Sequence, residues 1–197
     1  MNIKTRMSNQ DRSDMTRKAL VKAARELFIE KGYGEAGTPE LVRAAGVTRG
    51  ALYHHFEDKQ ALFRAVAENE LAEVAKLIER SATTASTTMQ ALESGTRAYL
   101  DAMQASGRAH LLLVEGPAAL GVQTMKQLNS DSAAHTLRDG LAAAMAAGEI
   151  PQLPLDALTA ILDAAFDRAA LEMAQGASRT DIETALSALF RGLAAAK

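Results

Sequence analysis

The sequence predicts an all-α protein. In most segments apolar residues recur three and four positions apart, which places them on one face of a helix. No segment alternates apolar and polar residues with the period of two that a half-buried strand requires, and glycine or proline stands at the ends of the apolar patterns. We therefore expect about nine helices. Their composition changes after the polar run 81–88, where alanine becomes frequent and basic residues become rare.

The composition excludes several classes of protein. The chain of 197 residues has no cysteine, which excludes disulfides, thiol catalysis and cysteine-ligated zinc. Acidic residues exceed lysine and arginine by only 24 to 22, but a basic face on one domain would be enough for DNA binding. No apolar run reaches the roughly 18 residues of a membrane span, and no secretory signal opens the chain. We expect a cytoplasmic protein.

Catalytic motifs are missing from the sequence. It contains no G-x-S-x-G, H-E-x-x-H or P-loop pattern. His54 and His55 are adjacent, so on a helix they would point about 100° apart and could not share a metal. We expect no enzymatic activity, no cofactor and no metal site.

The first 14 residues are polar and aperiodic, which is typical of a flexible tail. Basic residues of this tail could form an arm for the DNA minor groove, and they are Lys4, Arg6 and Arg12. A first helix is predicted from about Met15 to Lys31, because apolar residues then follow at helical spacing until Gly32 ends the pattern.

The stretch 38–59, TPELVRAAGVTRGALYHHFEDK, predicts two short helices joined by a tight turn and followed by a third helix. Thr38 can cap the first helix, and Pro39 suits its first turn. Gly46 can turn the chain at positive φ, and Thr48 can cap the second helix. These features predict a helix-turn-helix in a DNA-binding domain at 15–62, with 63–197 as a second helical domain.

The second of these short helices has two unlike faces. Leu52 and Phe56 lie four residues apart and are expected to point inward. The opposite face carries Arg49, Gly50, Tyr53 and His54. An arginine there can donate two hydrogen bonds to a guanine in the major groove. Lys59 lies beside the next helix start at Asp58, where a phosphate could bind.

Three segments of this region resemble the tetracycline-repressor (TetR) family of bacterial regulators at the family's usual spacing. They are AARELFIEKGY (23–33), AAGVTRGALYHHF (44–56) and KQALFRAV (59–66). The resemblance covers about the first third of the chain. It departs from the family at Ala36 and Gly37, where a Ser/Thr pair usually caps the helix and touches phosphate, and Thr38 could take over that cap.

The resemblance implies a transcriptional regulator that binds a palindromic DNA operator as a homodimer. It also implies repression that ends when a small-molecule effector binds the second domain. The residues it places at the DNA are Thr38, Thr48, Arg49, Gly50, Ala51, Tyr53, His54, His55 and Lys59.

The last two helices, predicted at Leu155–Gly176 and Thr180–Leu193, carry broad apolar stripes. These stripes could close a core within one chain, or they could pair two chains. The resemblance favours a homodimer through both helices, because a two-fold operator needs a two-fold protein.

The middle of the second domain mixes apolar residues with a few polar ones, as small-molecule sites do. The residues expected to line such a pocket are Met89, Tyr99, Met103, His110, Met125, His135 and Phe166. The alternative is that they only close the core, since a lone histidine is more often a hydrogen-bonded core residue than a ligand.

Two functions from different classes remain open on the sequence alone. One is a ligand-responsive dimeric transcription factor. The other is a DNA-bound structural or assembly protein of the same fold that recruits a protein partner. An enzyme built on this fold is a distant third.

Overall fold

The computed structural model describes residues 8–83 and 85–195. Within these ranges every regular element is a helix, so the prediction of an all-α fold is confirmed. The chain divides into two compact units, and the division falls between Ala67 and Glu68. None of the described helices is both long and apolar enough to cross a membrane.

The first unit consists of three helices and the start of a fourth. They are α1 (Asn9–Glu35), α2 (Thr38–Ala44), α3 (Arg49–His55) and α4 (Lys59–Ala82). Helix α1 begins before Met15, where the apolar pattern starts. The reason is a capping box in which the Ser8 hydroxyl accepts from the Asp11 backbone N–H at 3.0 Å and the Asp11 carboxylate accepts from the Ser8 N–H at 2.9 Å. The expected tail is therefore helical from residue 9 onward, while Lys4 and Arg6 lie outside the described residues.

The sequence predicts that Gly32 ends the first helix, whereas in the structure Gly32 kinks α1, which continues to Glu35. Its φ of 79° and ψ of 165° are not helical, and glycine reaches such a positive φ without a steric clash. The kink brings Tyr33 against two core phenylalanines, with ring centroids 5.9 Å from Phe28 and 5.1 Å from Phe63. The core of the unit is completed by buried apolar side chains of all four helices, which include Leu20, Ala24, Leu27, Leu41, Leu52, Phe56, Leu62 and Val66.

The second unit contains the rest of α4 and the remaining helices. These are α5 (Thr88–Met103), α6 (Arg108–His110), a π-helical turn (Leu111–Glu115), α7 (Gly116–Leu120), α8 (Val122–Ser130), α9 (Ala133–Ala146), α10 (Leu155–Ala174) and α11 (Arg179–Ala195). The π-helical turn lies just before Pro117, which has no N–H to continue the regular ladder.

The sequence pattern predicts one long helix from about Gly121 to Gly148, and this prediction is wrong. The structure has two helices, α8 and α9, separated at Asp131 and Ser132. The polar run Asn-Ser-Asp-Ser at 129–132 explains the break, because Asn, Ser and Asp have low helix propensity, and Ser132 has a non-helical backbone with φ of −138° and ψ of −105°. The apolar residues on either side of the break keep their helical spacing, so periodicity alone does not reveal the break.

An ion pair is buried inside the second unit. Arg108 Nε lies 2.8 Å from Glu70 Oε2, and Arg108 Nη1 donates to the Ala102 carbonyl at 2.8 Å. The side chains are only 10% and 3% exposed. These contacts fasten the start of α6 to α4 and to the end of α5.

The apolar stripes of α10 and α11 each have a buried part and an exposed part. Leu162, Phe166, Leu186 and Phe190 are buried within the unit, and the rings of Phe166 and Phe190 lie 6.1 Å apart. Ile161 and Leu189 instead remain exposed, by 67% and 52%. Part of each stripe therefore closes the core of one chain, and the other part is left on the surface.

Candidate nucleic-acid interface and cavities

Helix α3 is fixed in place by its cap and by two buried side chains. The Thr48 hydroxyl accepts from the Ala51 backbone N–H at 3.1 Å, which confirms the predicted cap. Leu52 is 2% and Phe56 is 4% exposed, and the Arg17 guanidinium of α1 lies 5.1 Å from the centre of the Phe56 ring. The opposite face of α3 is therefore held outward.

That outward face carries the side chains that the sequence places there. Arg49, Gly50, Tyr53 and His54 are all exposed. The Arg49 guanidinium lies 5.5 Å from the centre of the Tyr53 ring, a distance at which a cation is attracted to the ring face. Hydrogen bonds from Arg49 first, and from Thr38 second, lower the pKa of the Tyr53 hydroxyl. Arg49 is thus positioned before any ligand arrives.

Thr38 takes a different part from the one predicted. Gly37 is the residue that precedes α2, and no side chain caps this helix. Thr38 is the first residue of α2, and its side chain is hydrogen-bonded to Tyr53. The predicted Thr38 cap is wrong because the chain enters the helix one residue earlier. An ion pair of 2.7 Å between Lys31 and Glu40 instead ties α2 to α1.

Lys59 makes more contacts inside the unit than its sequence position suggests. Its ammonium donates to the carbonyls of Tyr33 at 2.7 Å, Gly34 at 3.3 Å and Ala36 at 3.3 Å. It also lies 4.4 Å from the centre of the Tyr33 ring. Since an ammonium has three N–H donors, each of them has an acceptor in the segment 33–36 that follows the kink at Gly32. The phosphate contact predicted for Lys59 stays a prediction, and the structure gives this residue a role in holding the segment 33–36.

The remaining predicted residues lie around the same helix. Thr48 is exposed at its start, while Ala51 and His55 are half-buried. The rings of His54 and His55 lie 5.3 Å apart at 75° to each other. The exposed face therefore offers a guanidinium, a phenol and an imidazole around the small Gly50. Such a set can donate hydrogen bonds to base edges and phosphates while leaving room for close approach.

Two of the cavities in the second unit have predicted residues in their walls. The larger has a volume of about 740 Å³ and includes four predicted residues, Tyr99, Met103, Met125 and His135, in its wall. The smaller has a volume of about 400 Å³, and Tyr99, His135 and Phe166 line it. Met89 and His110 line neither of these two cavities.

The alternative that the two isolated histidines only close the core does not hold for either of them. The side chains of His110 and His135 are 64% and 63% exposed. His110 Nε2 lies 3.5 Å from a Glu115 oxygen, and His135 Nε2 lies 3.3 Å from an Asp139 oxygen. Both histidines have apolar neighbours in the sequence, but their helices place these two side chains on the surface.

Sequence reasoning missed most of the polar residues in the wall of the larger cavity. Three of them lie close together, namely Asn129 of α8 and the pair Asp163 and Asp167 of α10. A signal for the pair is present in the sequence, since two aspartates four residues apart repel each other on an ordinary helix surface. They also directly follow Leu162 and Phe166 of the apolar stripe, so they border the core.

Both units match models of one protein family. Residues 20–66 match the model described as "Bacterial regulatory proteins, tetR family". Residues 89–195 match "Tetracyclin repressor-like, C-terminal domain". The chain belongs to the TetR family. In the sequence of this TetR protein, the first match contains α2 and α3, and the second runs from α5 to α11.

Individual proteins show the same relationship. The chain is 29% identical over 110 residues to the transcriptional activator FasR of Mycolicibacterium smegmatis, covering 56% of this chain and 50% of FasR. It is 39% identical over 72 residues to the transcriptional repressor AcnR of Corynebacterium diphtheriae, covering 36% and 37%. The chain thus spans half or less of the curated relatives it matches. A TetR-family regulator from Pectobacterium atrosepticum has a similar fold, with a TM-score of 0.76, 26% identity and coverage of 95% of this chain and 97% of that one.

Proposed function

We propose that this TetR-family protein is a transcriptional regulator that binds a palindromic DNA operator through α3. The observation that carries the proposal is the exposed face of that helix, where Arg49 is held over Tyr53 around the open position of Gly50. A preorganised arginine loses less freedom on binding, and arginine is the side chain that most often reads guanine.

The contacts divide into two kinds. Arg49 reads a base edge, and Gly50 with Ala51 allows the helix to come close to the groove. Tyr53, His54, Thr38 and Thr48 lie around this centre and bond to phosphates, which fix the helix in register. Lys59 acts mainly through the segment 33–36 that it holds, and His55 supports the neighbouring His54.

The protein acts as a homodimer through α10 and α11. Support comes from side chains that the monomer leaves exposed on both helices, at one-turn spacing: Ala157, Ile161, Ala164, Ala185 and Leu189. Small residues let two helices approach closely, and the larger Ile161 and Leu189 supply apolar area. An isologous pairing of these faces gives the two-fold symmetry that a palindromic operator requires.

The regulator represses, and a small molecule in the second unit ends repression. These two cavities support this part of the proposal, because their volumes of about 740 and 400 Å³ fall within the range of small-molecule sites. Helix α4 contains residues of both units and contributes Leu71 and Val74 to the larger cavity wall. An effector weakens operator binding only by its differential affinity for the two states of the protein, typically about 5- to 150-fold.

Selection of DNA from a random pool tests this function. The full chain is incubated with random duplexes, and the bound fragments are sequenced after several rounds. We expect an inverted repeat whose half-sites have centres about one helical turn, or a multiple of it, apart. Failure to enrich any sequence, or enrichment of a single unrepeated site, would contradict the proposal.

A further inference from the structure

The larger cavity of the second unit has walls that are mostly apolar. Leu71 and Val74 come from α4, Met103 from α5, and Met125 from α8. A volume of about 740 Å³ is within the range of about 300–1,000 Å³ that holds ligands of drug size. The apolar area favours a ligand with a hydrocarbon or aromatic body.

A compact polar group interrupts these walls on one side. The Tyr99 hydroxyl donates to Asp167 Oδ1 at 2.5 Å. The Asn129 amide donates to both carboxylate oxygens of Asp163 at 3.0 Å. Tyr99 is only 8% exposed, and both aspartates are partly buried. Three different helices, α5, α8 and α10, therefore bring their polar side chains to one part of the cavity.

Neither carboxylate has a cationic partner among the residues that the structure describes. Within residues 8–83 and 85–195, no ion pair joins Asp163 or Asp167 to a basic side chain. Three basic residues do belong to the cavity wall, but they lie at exposed positions. Arg138 pairs with Asp156 at 3.0 Å, His135 lies beside Asp139, and Lys126 is exposed.

Buried carboxylates without a cation are unfavourable for folding. A buried charge is ordinarily paired, and like charges one helical turn apart repel. Burial accordingly raises the pKa of Asp163, and it raises the pKa of Asp167 to about 6. A bound positive charge would relieve both effects, and the hydrogen bonds from Tyr99 and Asn129 hold the two acceptors in position for it.

We propose that this cavity binds an organic cation with an apolar body, whose ammonium group contacts Asp163 and Asp167. The inference rests on the effector role proposed for the second unit and assigns the chemical class of the effector. The ammonium takes the place of the missing basic partner, and the apolar body packs against the methionines and leucines of the wall.

Three ligands that differ only in their head group test whether the cavity prefers a positively charged ligand. Decylamine, decanol and decanoate are titrated separately into the full chain at pH 7.5, below their micelle-forming concentrations, and the binding heat is measured. We expect decylamine to bind at least about tenfold more tightly than decanol, since a hydrogen bond to a charged group contributes roughly that much, and decanoate to bind most weakly. Equal binding of all three, tightest binding of decanoate, or no binding of decylamine would overturn the proposal.

Substitutions then locate the site. Asp163→Asn and Asp167→Asn keep the shape of the side chain and remove its charge, so each should weaken decylamine about tenfold or more and leave decanol unchanged. Asp181→Asn is the matched control, because Asp181 is exposed on α11 and lines neither cavity. Decylamine binding that is unaffected by both cavity variants places the cation elsewhere and overturns the assignment. The wild-type comparison of the three ligands decides the charge preference even if a variant folds poorly.

The test of the cation site and the test of the proposed DNA-binding function can fail independently. DNA selection uses no ligand, so a chain that selects an operator but ignores decylamine refutes only the cationic effector. A chain that binds decylamine through the two aspartates but selects no DNA refutes the regulator and retains the cation site.

Discussion

Gly50 is the residue that allows α3 its closest approach to another molecule. A Cβ placed there would meet only the Thr48 hydroxyl at 3.9 Å, so alanine fits the protein without strain. Because alanine favours a helix over glycine by about 0.5–1 kcal/mol, Gly50→Ala should slightly raise the melting temperature. If α3 enters the major groove, the added methyl should nevertheless weaken operator binding in a fluorescence anisotropy titration.

Gly34→Ala is the control for this substitution. A methyl group added at Gly34 would also have open space, with no other atom within 4 Å. Because Gly34 lies outside α3, its variant should bind DNA as the wild type does. Operator affinity that is equal in all three proteins would show that Gly50 does not face the groove.

Asp167 links the second unit's stability to pH. Burial raises the pKa of its carboxyl from 3.8 to about 6, while the Tyr99 hydrogen bond opposes that rise. Because the pKa of this carboxyl is higher in the folded than in the unfolded chain, its protonated form stabilises the fold. This contribution is complete below the unfolded-chain pKa of 3.8 and is lost as pH rises through about 6. The Asp167→Asn variant has no carboxyl at this position, so it does not lose this stability as pH rises. From pH 4.5 to 7.5 its free energy of unfolding should therefore rise relative to wild type by about 2 kcal/mol.

Urea unfolding at several pH values measures this difference. The groups that face Asp167 are Tyr99 and the neighbouring Asp163, and both remain in the variant. The exposed Asp181→Asn variant should run parallel to wild type across the range. A stability difference between Asp167→Asn and wild type that stays constant with pH would contradict the burial of a titrating carboxylate at this position.

At the scale of elements, Lys59 joins the start of α4 to the segment 33–36, which contains the end of α1 after its kink. Lys59→Met keeps most of the side-chain stem and removes three hydrogen bonds to carbonyls and the contact with the Tyr33 ring. We expect a loss of about 1–3 kcal/mol in the stability of the first unit. We also expect faster amide exchange at residues 33–37, measured by hydrogen exchange and mass spectrometry.

Lys22→Met is the matched control, since Lys22 is an exposed residue of α1. It should leave both the melting temperature and the exchange of residues 33–37 unchanged. If Lys59→Met also leaves them unchanged while operator binding falls, then Lys59 acts on phosphate rather than on the segment 33–36.

The elements also show which parts of the structure a sequence can predict. Helix α3 is predictable because its cap at Thr48 and its inward pair Leu52 and Phe56 are local signals. The contacts of Lys59 are not, because their acceptors lie 23 to 26 residues earlier in the chain. The cavity group is harder still, since Tyr99 and Asp167 are 68 residues apart and meet only when α5 and α10 pack.

At the scale of the whole molecule, the proposed dimer depends on faces that the monomer leaves open. Ile161→Glu and Leu189→Glu place a charge where an apolar side chain is 67% and 52% exposed. In a monomer these changes should cost little, but in a dimer each would bury an unpaired charge at the interface. Light scattering should show a dimer mass for wild type and a monomer mass for both variants, with weaker operator binding.

Leu186→Ala separates assembly from folding. Leu186 is only 7% exposed within the unit, so its truncation should cost about 2–5 kcal/mol of stability and keep the dimer mass at low temperature. A wild type that is monomeric at micromolar concentration, or Glu variants that remain dimeric, would show that α10 and α11 do not form the interface.

The central claim is that Arg49 on the exposed face of α3 reads DNA sequence. The most direct measurement is anisotropy of wild type and Arg49→Ala on the selected operator and on operators with single base-pair changes along one half-site. Arg80→Ala, an exposed arginine of α4 in the second unit, is the charge control. We predict that Arg49→Ala loses about 1–3 kcal/mol on the preferred operator and no longer distinguishes the base at one position per half-site, while Arg80→Ala behaves as wild type. If Arg49→Ala retains both the affinity and the base preference of wild type, the exposed face of α3 is not the surface that reads DNA.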